Sequence, residues 1–502
     1  MQSLVQRKRR NMWGYRIRFR YLVIALSMVC NAWINEKASG YNDPLTELKA
    51  LTELTFDAPL FEGAEHIAST TASTIESEDG LEFCMTPIWY DALPYKGKPT
   101  KVFAWLSLPC ESEADENPSK VPAVVLVHGG GGTAWKKWAE GWAFQGFASI
   151  AIAVEGQTDI SLQDSLVMEG EEQLNLKWFR HEYAGPSSPE NAYGDCENDP
   201  VQDQWMYHAV ADTLLANALL HSFDYIIDTS SIGLHGVSWG SVVSLTALPF
   251  VNPAQTMAFY IDQYGCGSLG DSTGLIGKKI RQYQKVETYE KFWDPTLRMD
   301  RIKDTSILFL DLPGDVYFPL KDVADTYQHL TVPFMTSFQP TLVHHHNVWI
   351  HPDPYAFAKS VLFWKDENKL DYYNHKSSSF DFWIGQVYPE FGENDFLDPN
   401  EAKNEGYFEV VFDSAKPLEF SEMVYTYDKA DEPNRSWAKR MCGIVLQEHG
   451  CDYTTTSSRC LWRAGGLVPE SATSWYVLVH ASEGQLMASS RLFTRVSEQR
   501  DD

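Results

Sequence analysis

The chain has 502 residues and a formal net charge of −27. That length suggests two or three domains, and a hydrophobic share of 44% with 17 tryptophans excludes a disordered or low-complexity chain. The acidic balance excludes binding to a nucleic-acid backbone, which needs clustered Lys and Arg.

The first residues run against that acidity. Arg7-Lys8-Arg9-Arg10, with Arg16, Arg18 and Arg20, precedes the short apolar run Tyr21 to Cys30. A basic segment followed by such a run predicts a secretory signal peptide over 1–32, cleaved after Ala32, with an uncleaved anchor as the alternative. The run is shorter than a membrane span needs, and no other stretch is long and apolar enough to be one. The expected location is therefore secreted, periplasmic or at the cell surface, with no stable membrane span after signal removal. Cys84, Cys110, Cys196, Cys266, Cys442, Cys451 and Cys460 follow the signal. An exported chain can oxidise them. Cys84 and Cys110 lie in neighbouring predicted strands and can pair, as can two of the late three, and an odd count leaves a free thiol. No C-x-x-C occurs, so nothing supports a zinc or redox motif.

Residues 33–72 read as an N-terminal extension, with an amphipathic piece at Leu45 to Leu54. A catalytic domain over 73–366 then opens with antiparallel strands. Leu81 to Met85 and Thr100 to Leu106 are separated by the turn Tyr95-Lys96-Gly97-Lys98-Pro99. Val121 to Val127 is a continuous apolar run of strand length, as in buried parallel strands. It ends in His128-Gly129-Gly130-Gly131-Gly132. A phosphate loop would need a Gly-Lys-Ser/Thr that is missing. An oxyanion loop needs only glycines that bring backbone N–H groups to a substrate oxygen.

Trp138 to Phe147 predicts a helix and Ala148 to Val154 a strand. Asp159 to Tyr193 is a long polar excursion over the strand C-termini, where such loops shape access. Trp205 to Phe223 is helical. The strand Ile232 to His235 then leads into Gly236-Val237-Ser238-Trp239-Gly240 and an apolar helix. G-x-S-x-G between strand and helix is a nucleophile elbow: the serine sits on a strained turn and the glycines admit close packing. Strands follow at Ala258 to Asp262, Ile307 to Asp311 and Phe334 to Val343, and a closing helix at Asp353 to Lys365. Alternating strands and helices predict a parallel sheet covered on both faces.

The candidate triad is Ser238, Asp315 and His344, each following a strand. A histidine takes the serine proton and a carboxylate fixes its tautomer. Asp311 is still within its strand pattern and reads as structural. His344 is favoured as the first residue past its strand, with His345 and His346 as alternatives. The histidine run also admits a metal-site reading, but adjacent residues rarely aim at one ion. Neither a metal nor a cofactor is expected. The oxyanion donors are the N–H of Trp239 and that of Gly130 or Gly131.

Together these motifs resemble a known family, the exported α/β-hydrolases of the acetyl xylan esterase-like or dienelactone hydrolase-like kind. The carrying stretches are Leu93 to Pro99 with Val102-Phe103-Ala104, His128 to Ala134, Gln202 to Trp205 with Tyr207 to Asp212, Gly236 to Gly240, Tyr264 to Gly267 with Leu269-Gly270-Asp271, and Asp315 with Pro319. They cover about Thr74 to Phe363. The resemblance implies an α/β-hydrolase fold with Ser238 as nucleophile, Asp315 as acid and the 344–346 histidines as base. It also implies hydrolysis of carboxylic esters, often acetyl esters on polysaccharide. Two departures stand out: Ser241 replaces a frequent third glycine, and His344-His345-His346-Asn347 replaces an H-G-H pattern.

Beyond a polar linker, short β-type runs over 380–502 predict a C-terminal all-β sandwich that resembles an Ig-like module. Trp437 is a candidate sugar-stacking ring, with a core aromatic the favoured reading. The leading expectation is a secreted serine esterase whose partner is an ester-bearing carbohydrate or a small-molecule ester. A serine peptidase of the same fold and a non-catalytic glycan-binding protein are the alternatives.

Overall fold

The computed structural model describes residues 51, 57–110, 119–162, 177–188, 199–283, 286–365, 407–414, 418–429, 436–446, 460–481 and 487–494. The expected signal peptide (1–32), most of the N-terminal extension and the linker after 366 lie outside the described residues.

Strands β1 (Phe61–Gly63), β2 (Ser73–Glu76), β3 (Glu82–Tyr95) and β4 (Lys98–Pro109) are antiparallel. The β3–β4 hairpin is closed by a disulfide between Cys84 and Cys110, whose Cα atoms lie 5.0 Å apart. Strand β5 (Val121–Val127) is buried along its whole length, as its unbroken apolar sequence requires in a sheet covered on both faces. Helix α1 (Lys136–Phe144) leads to β6 (Ala148–Ile152). The excursion that follows contributes a two-stranded hairpin, β7 (Gln157–Ser161) and β8 (Trp178–Arg180).

Helix α2 (Trp205–His221) is buried at every residue from Trp205 to Leu220, matching a sequence that is apolar on all sides. Strand β9 (Ile227–Val237) runs into α3 (Trp239–Ala247). Then come β10 (Phe259–Gln263), α4 (Leu275–Tyr283), α5 (Val286–Trp293), β11 (Ser306–Asp311), α6 (Leu320–Tyr327), β12 (Phe334–Phe338) and α7 (Asp353–Lys365). Strands β6, β5, β9, β10, β11 and β12 lie side by side and parallel, with β4 antiparallel against β6. Helix α1 meets α7 where Trp142 packs edge-on against Tyr355 at 4.8 Å. Helices α2 and α3 pack against each other and against β5 and β9. This is the α/β-hydrolase fold.

Strand β12 is shorter than its sequence suggests. It stops at Phe338, and Gln339-Pro340-Thr341 turns the chain, with the Leu342 N–H donating to the Gln339 carbonyl at 3.1 Å. Pro340 has no N–H to continue a ladder. His344 therefore sits within a loop and is not the first residue past the strand.

The C-terminal strands are β13 (Tyr407–Ser414), β14 (Leu418–Thr426), β15 (Trp437–Leu446), β16 (Cys460–Leu467), β17 (Ser474–Ala481), β18 (Met487–Ser489) and β19 (Phe493–Thr494). Strand β15 changes partner along its length: Trp437 to Cys442 pair with β14, and Gly443 to Leu446 pair with β16. Two small sheets thus share one bent strand. They are joined to the hydrolase sheet, because β18 pairs antiparallel with β12 at Thr336 and Ser489. The strand-rich C-terminus is as expected. Trp437 is half-buried and packs against Tyr476 at 5.8 Å, so it is a core contact.

Candidate active site

Ser238 has φ 55° and ψ −120°, a left-handed turn that a serine adopts only under constraint. The constraint comes from both sides. A Cβ on Gly240 would lie 2.0 Å from the Val127 carbonyl, and one on Gly236 would lie 2.6 Å from the Gly240 carbonyl. Strand and helix touch through these bare backbones. The Ser238 N–H donates to the Gln263 carbonyl at 2.8 Å. Ser241, where a third glycine is frequent, donates its hydroxyl to the Gly236 carbonyl at 2.8 Å and pins the same turn.

His344 bridges the other two candidates. Its Nε2 lies 2.9 Å from Ser238 Oγ and its Nδ1 lies 2.7 Å from Asp315 Oδ2. The carboxylate can only accept, so Nδ1 carries the proton and Nε2 accepts from the serine hydroxyl. The other oxygen of Asp315 accepts the N–H groups of Tyr317 at 2.7 Å and Phe318 at 3.1 Å. The imidazole is held in its plane by Tyr264, stacked at 4.9 Å, and by Phe318, nearly parallel at 6.1 Å. This arrangement can move a proton from a hydroxyl to an imidazole and stabilise the charged ring.

The other histidines are not part of it. Asn347 donates its N–H to Nδ1 of His345 at 2.9 Å. His346 is buried beside Trp135, its ring centroid 5.7 Å away, and burial pushes its pKa down to about 3. Asp311 lies wholly buried at the end of β11, and neither carboxyl oxygen has a partner among the described residues.

The glycine loop lies directly on the elbow. A Cβ on Gly129 would be 3.0 Å from Ser238 Cβ, and one on Gly130 would be 2.5 Å from the Trp239 ring. His128 orders the start of this loop. Its Nε2 accepts the Val154 N–H at 3.1 Å, so its Nδ1–H donates to the Gly129 carbonyl at 2.7 Å. Burial keeps the ring neutral, with a pKa pushed down to about 4. The Gly132 N–H also reaches the Gly129 carbonyl, at 2.9 Å. In a trans peptide the N–H points opposite to the carbonyl. The Gly130 N–H is thereby turned away from His128, and it has no backbone acceptor among the described residues. Burial raises the pKa of Glu155 to about 7, opposed by the Gly131 backbone and Arg180.

Glu155, Trp178 and the tautomer of His128 were not visible as site residues in the sequence. A side chain that bonds a glycine's backbone leaves no spacing to find. Among the described residues no group of three or more His, Cys, Asp or Glu side chains is placed to hold a metal ion.

No family model matches the chain, and no curated protein matches it. Solved structures with a similar fold include an acetyl xylan esterase from Paenibacillus sp. R4, at 16% identity and a TM-score of 0.41, covering 61% of this chain and 90% of that one. Acetyl xylan esterase 1 from Thermoanaerobacterium sp. JW/SL YS485 follows at 16% identity and a TM-score of 0.39, covering 59% and 87%. An acylaminoacyl peptidase from Pyrococcus horikoshii has 14% identity and a TM-score of 0.38, covering 63% of this chain and 52% of that one.

Proposed function

We propose that the protein is an exported serine esterase that cleaves carboxylic esters, with acetyl esters on polysaccharide as its substrate class. The observation that carries the reading is the His344 ring, 2.9 Å from Ser238 Oγ and 2.7 Å from Asp315 Oδ2. Ser238 Oγ attacks the ester carbonyl as its proton passes to His344 Nε2, and Asp315 holds the imidazolium. The carbonyl oxygen becomes an oxyanion facing the Trp239 N–H, the first amide of α3, and the Gly130 N–H. His344 returns the proton to the departing alcohol. Water then attacks the acyl-serine with His344 as base, releasing the acid. Between Gly130 and Gly131, Gly130 is favoured, because its N–H belongs to the peptide whose carbonyl His128 and Gly132 hold.

The substrate class follows the sequence resemblance. It is supported by the half-buried Trp135, Trp178 and Trp349, which form one aromatic wall with Trp135 at 5.2 Å from Trp178 and 5.9 Å from Trp349. Flat aromatic faces suit the apolar face of a sugar ring. Export is supported by the basic and apolar order of the first residues and by the Cys84–Cys110 disulfide, which persists in oxidising compartments.

The test is hydrolysis of a short-chain aryl acetate by the protein and by Ser238→Ala, followed by acetate release from acetylated xylan. The expected loss in kcat for the variant is about a thousandfold or more. Turnover that survives in Ser238→Ala, or none in the parent protein on acetate or longer esters, overturns the reading.

A further inference from the structure

A run of four glycines has little rigidity of its own, since each residue keeps nearly the full backbone freedom that ordering must remove. Yet the oxyanion amide has to be fixed before the reaction, because a donor that reorganises during it stabilises less. His128 and the Gly132 N–H hold the Gly129 carbonyl and with it the Gly129–Gly130 peptide. The Gly131 and Gly132 carbonyls are held from outside the loop, by residues that come after β6. The Trp178 indole N–H donates to the Gly131 carbonyl at 2.8 Å, and the Gln157 amide donates to the Gly132 carbonyl at 2.8 Å.

Trp178 reaches across 47 residues of sequence to make this bond. Strand β8 is placed for it by pairing with β7, Ser161 against Trp178 and Gln157 against Arg180. The Arg180 guanidinium ties the base of the hairpin by donating to the carbonyls of Glu155 and Gly185. The ring itself is set by its edge-on contact with Trp135, 5.2 Å and 87°.

We propose that Trp178 is a positioning residue: its indole N–H, acting with the Gln157 amide, locks the Gly131–Gly132 backbone so that the Gly130 N–H faces the oxyanion. This rests on the serine-hydrolase reading above. The hairpin is therefore a part of the oxyanion site as well as a wall beside it. Trp178 touches no reacting atom, so its effect is on the transition state through the loop.

The test is Trp178→Phe, which keeps an aromatic ring against Trp135 and deletes the N–H. Two readouts are taken: kcat and KM on an aryl acetate, and the rate at which an alkyl fluorophosphonate labels Ser238, where Oγ bonds to phosphorus and fluoride leaves. Both reactions place negative charge in the oxyanion site, so both are expected to slow by roughly tenfold, less than the loss of a direct donor, with KM little changed. Affinity for a trifluoromethyl ketone, which forms a tetrahedral oxyanion adduct, is expected to fall by the factor lost from kcat/KM. Labelling at the parent rate, or a rise in KM alone, overturns the proposal and leaves Trp178 as a wall residue. Labelling does not need a productive ester, so it reads the lock even where the choice of substrate fails. Should the Phe variant not fold, Gln157→Leu tests the same lock from the Gly132 carbonyl, with the same expected slowing and the same overturning result.

Discussion

Asp311 illustrates how far a single side chain's environment can depart from its sequence context. It lies four positions before Asp315 in the same strand-to-loop stretch. The later residue gains two backbone N–H donors and a histidine, while Asp311 is buried in the interior with neither oxygen partnered among the described residues. Burial, together with the charges of Asp262 and Asp315, raises its pKa well above the carboxylate range. Asp262 is held up to about 7 by burial as well. The sign of the pH effect follows. An acid whose folded pKa is raised keeps its proton in the folded chain after the unfolded chain has released it. Stability is then highest below the unfolded pKa, about 4, and falls as pH rises toward the folded value, by about 1.4 kcal/mol per pH unit for a single group. Asp311→Asn mimics the protonated carboxyl and removes that loss. The variant is expected to unfold at a higher temperature than the parent at pH 8 and to differ little at pH 4.5, in thermal melts at both values. A variant less stable than the parent at pH 8 would mean that the buried carboxylate is charged and paired.

At the level of elements, the elbow is the junction on which the site depends, and its sensitive residue is Gly240. A methyl group there would meet the Val127 carbonyl at 2.0 Å, backbone against backbone, with no side chain to give way. Gly240→Ala is expected to push α3 off β5, destabilise the fold by about 3 kcal/mol and abolish labelling of Ser238. Urea unfolding measures the first, and a variant with parent-like stability and labelling would show that the contact relaxes at little cost. This junction was legible in the sequence because its requirements are local: a buried strand, two glycines flanking Ser238 and an apolar helix. Val121 to Val127 was legible for the same reason, since burial on both faces writes an unbroken apolar run. The end of β12 was not. Thr341, Leu342 and Val343 continue a strand-like composition, and only Pro340 marks the turn that carries His344 to Ser238. The grip of β7 and β8 on the glycine loop was not legible either, because a bond from an indole to a backbone carbonyl imposes no periodicity on either segment.

Across the whole molecule, the least legible feature is the joining of the C-terminal strands to the hydrolase sheet. It rests on pairings between distant residues with no local signature. Thr336 donates its hydroxyl to the Ser489 carbonyl at 2.9 Å, Ser337 donates to the Met487 carbonyl at 2.7 Å, and the Phe338 N–H donates to Ser489 Oγ at 3.2 Å. Arg491 lies over the Phe334 ring at 4.8 Å, and the Leu492 N–H donates to the Tyr327 hydroxyl at 3.0 Å. These contacts cover the outer edge of β12, the strand whose end feeds the His344 loop. Asp353, which opens α7, reads the same junction: burial raises its carboxyl to about 7 while Ser337, the Met487 backbone and Gln339 oppose the shift. Removing residues 367–502 would bare the β12 edge and strip the Met487 contact from Asp353. An open edge of this kind pairs readily with other chains. The truncated chain is therefore expected to associate on size-exclusion chromatography and to lose most of its aryl acetate hydrolysis, even though Ser238, Asp315 and His344 all remain. A truncated chain that stays monomeric and fully active would mean that β12 and its loop hold their geometry unaided, and that the C-terminal strands serve some other purpose.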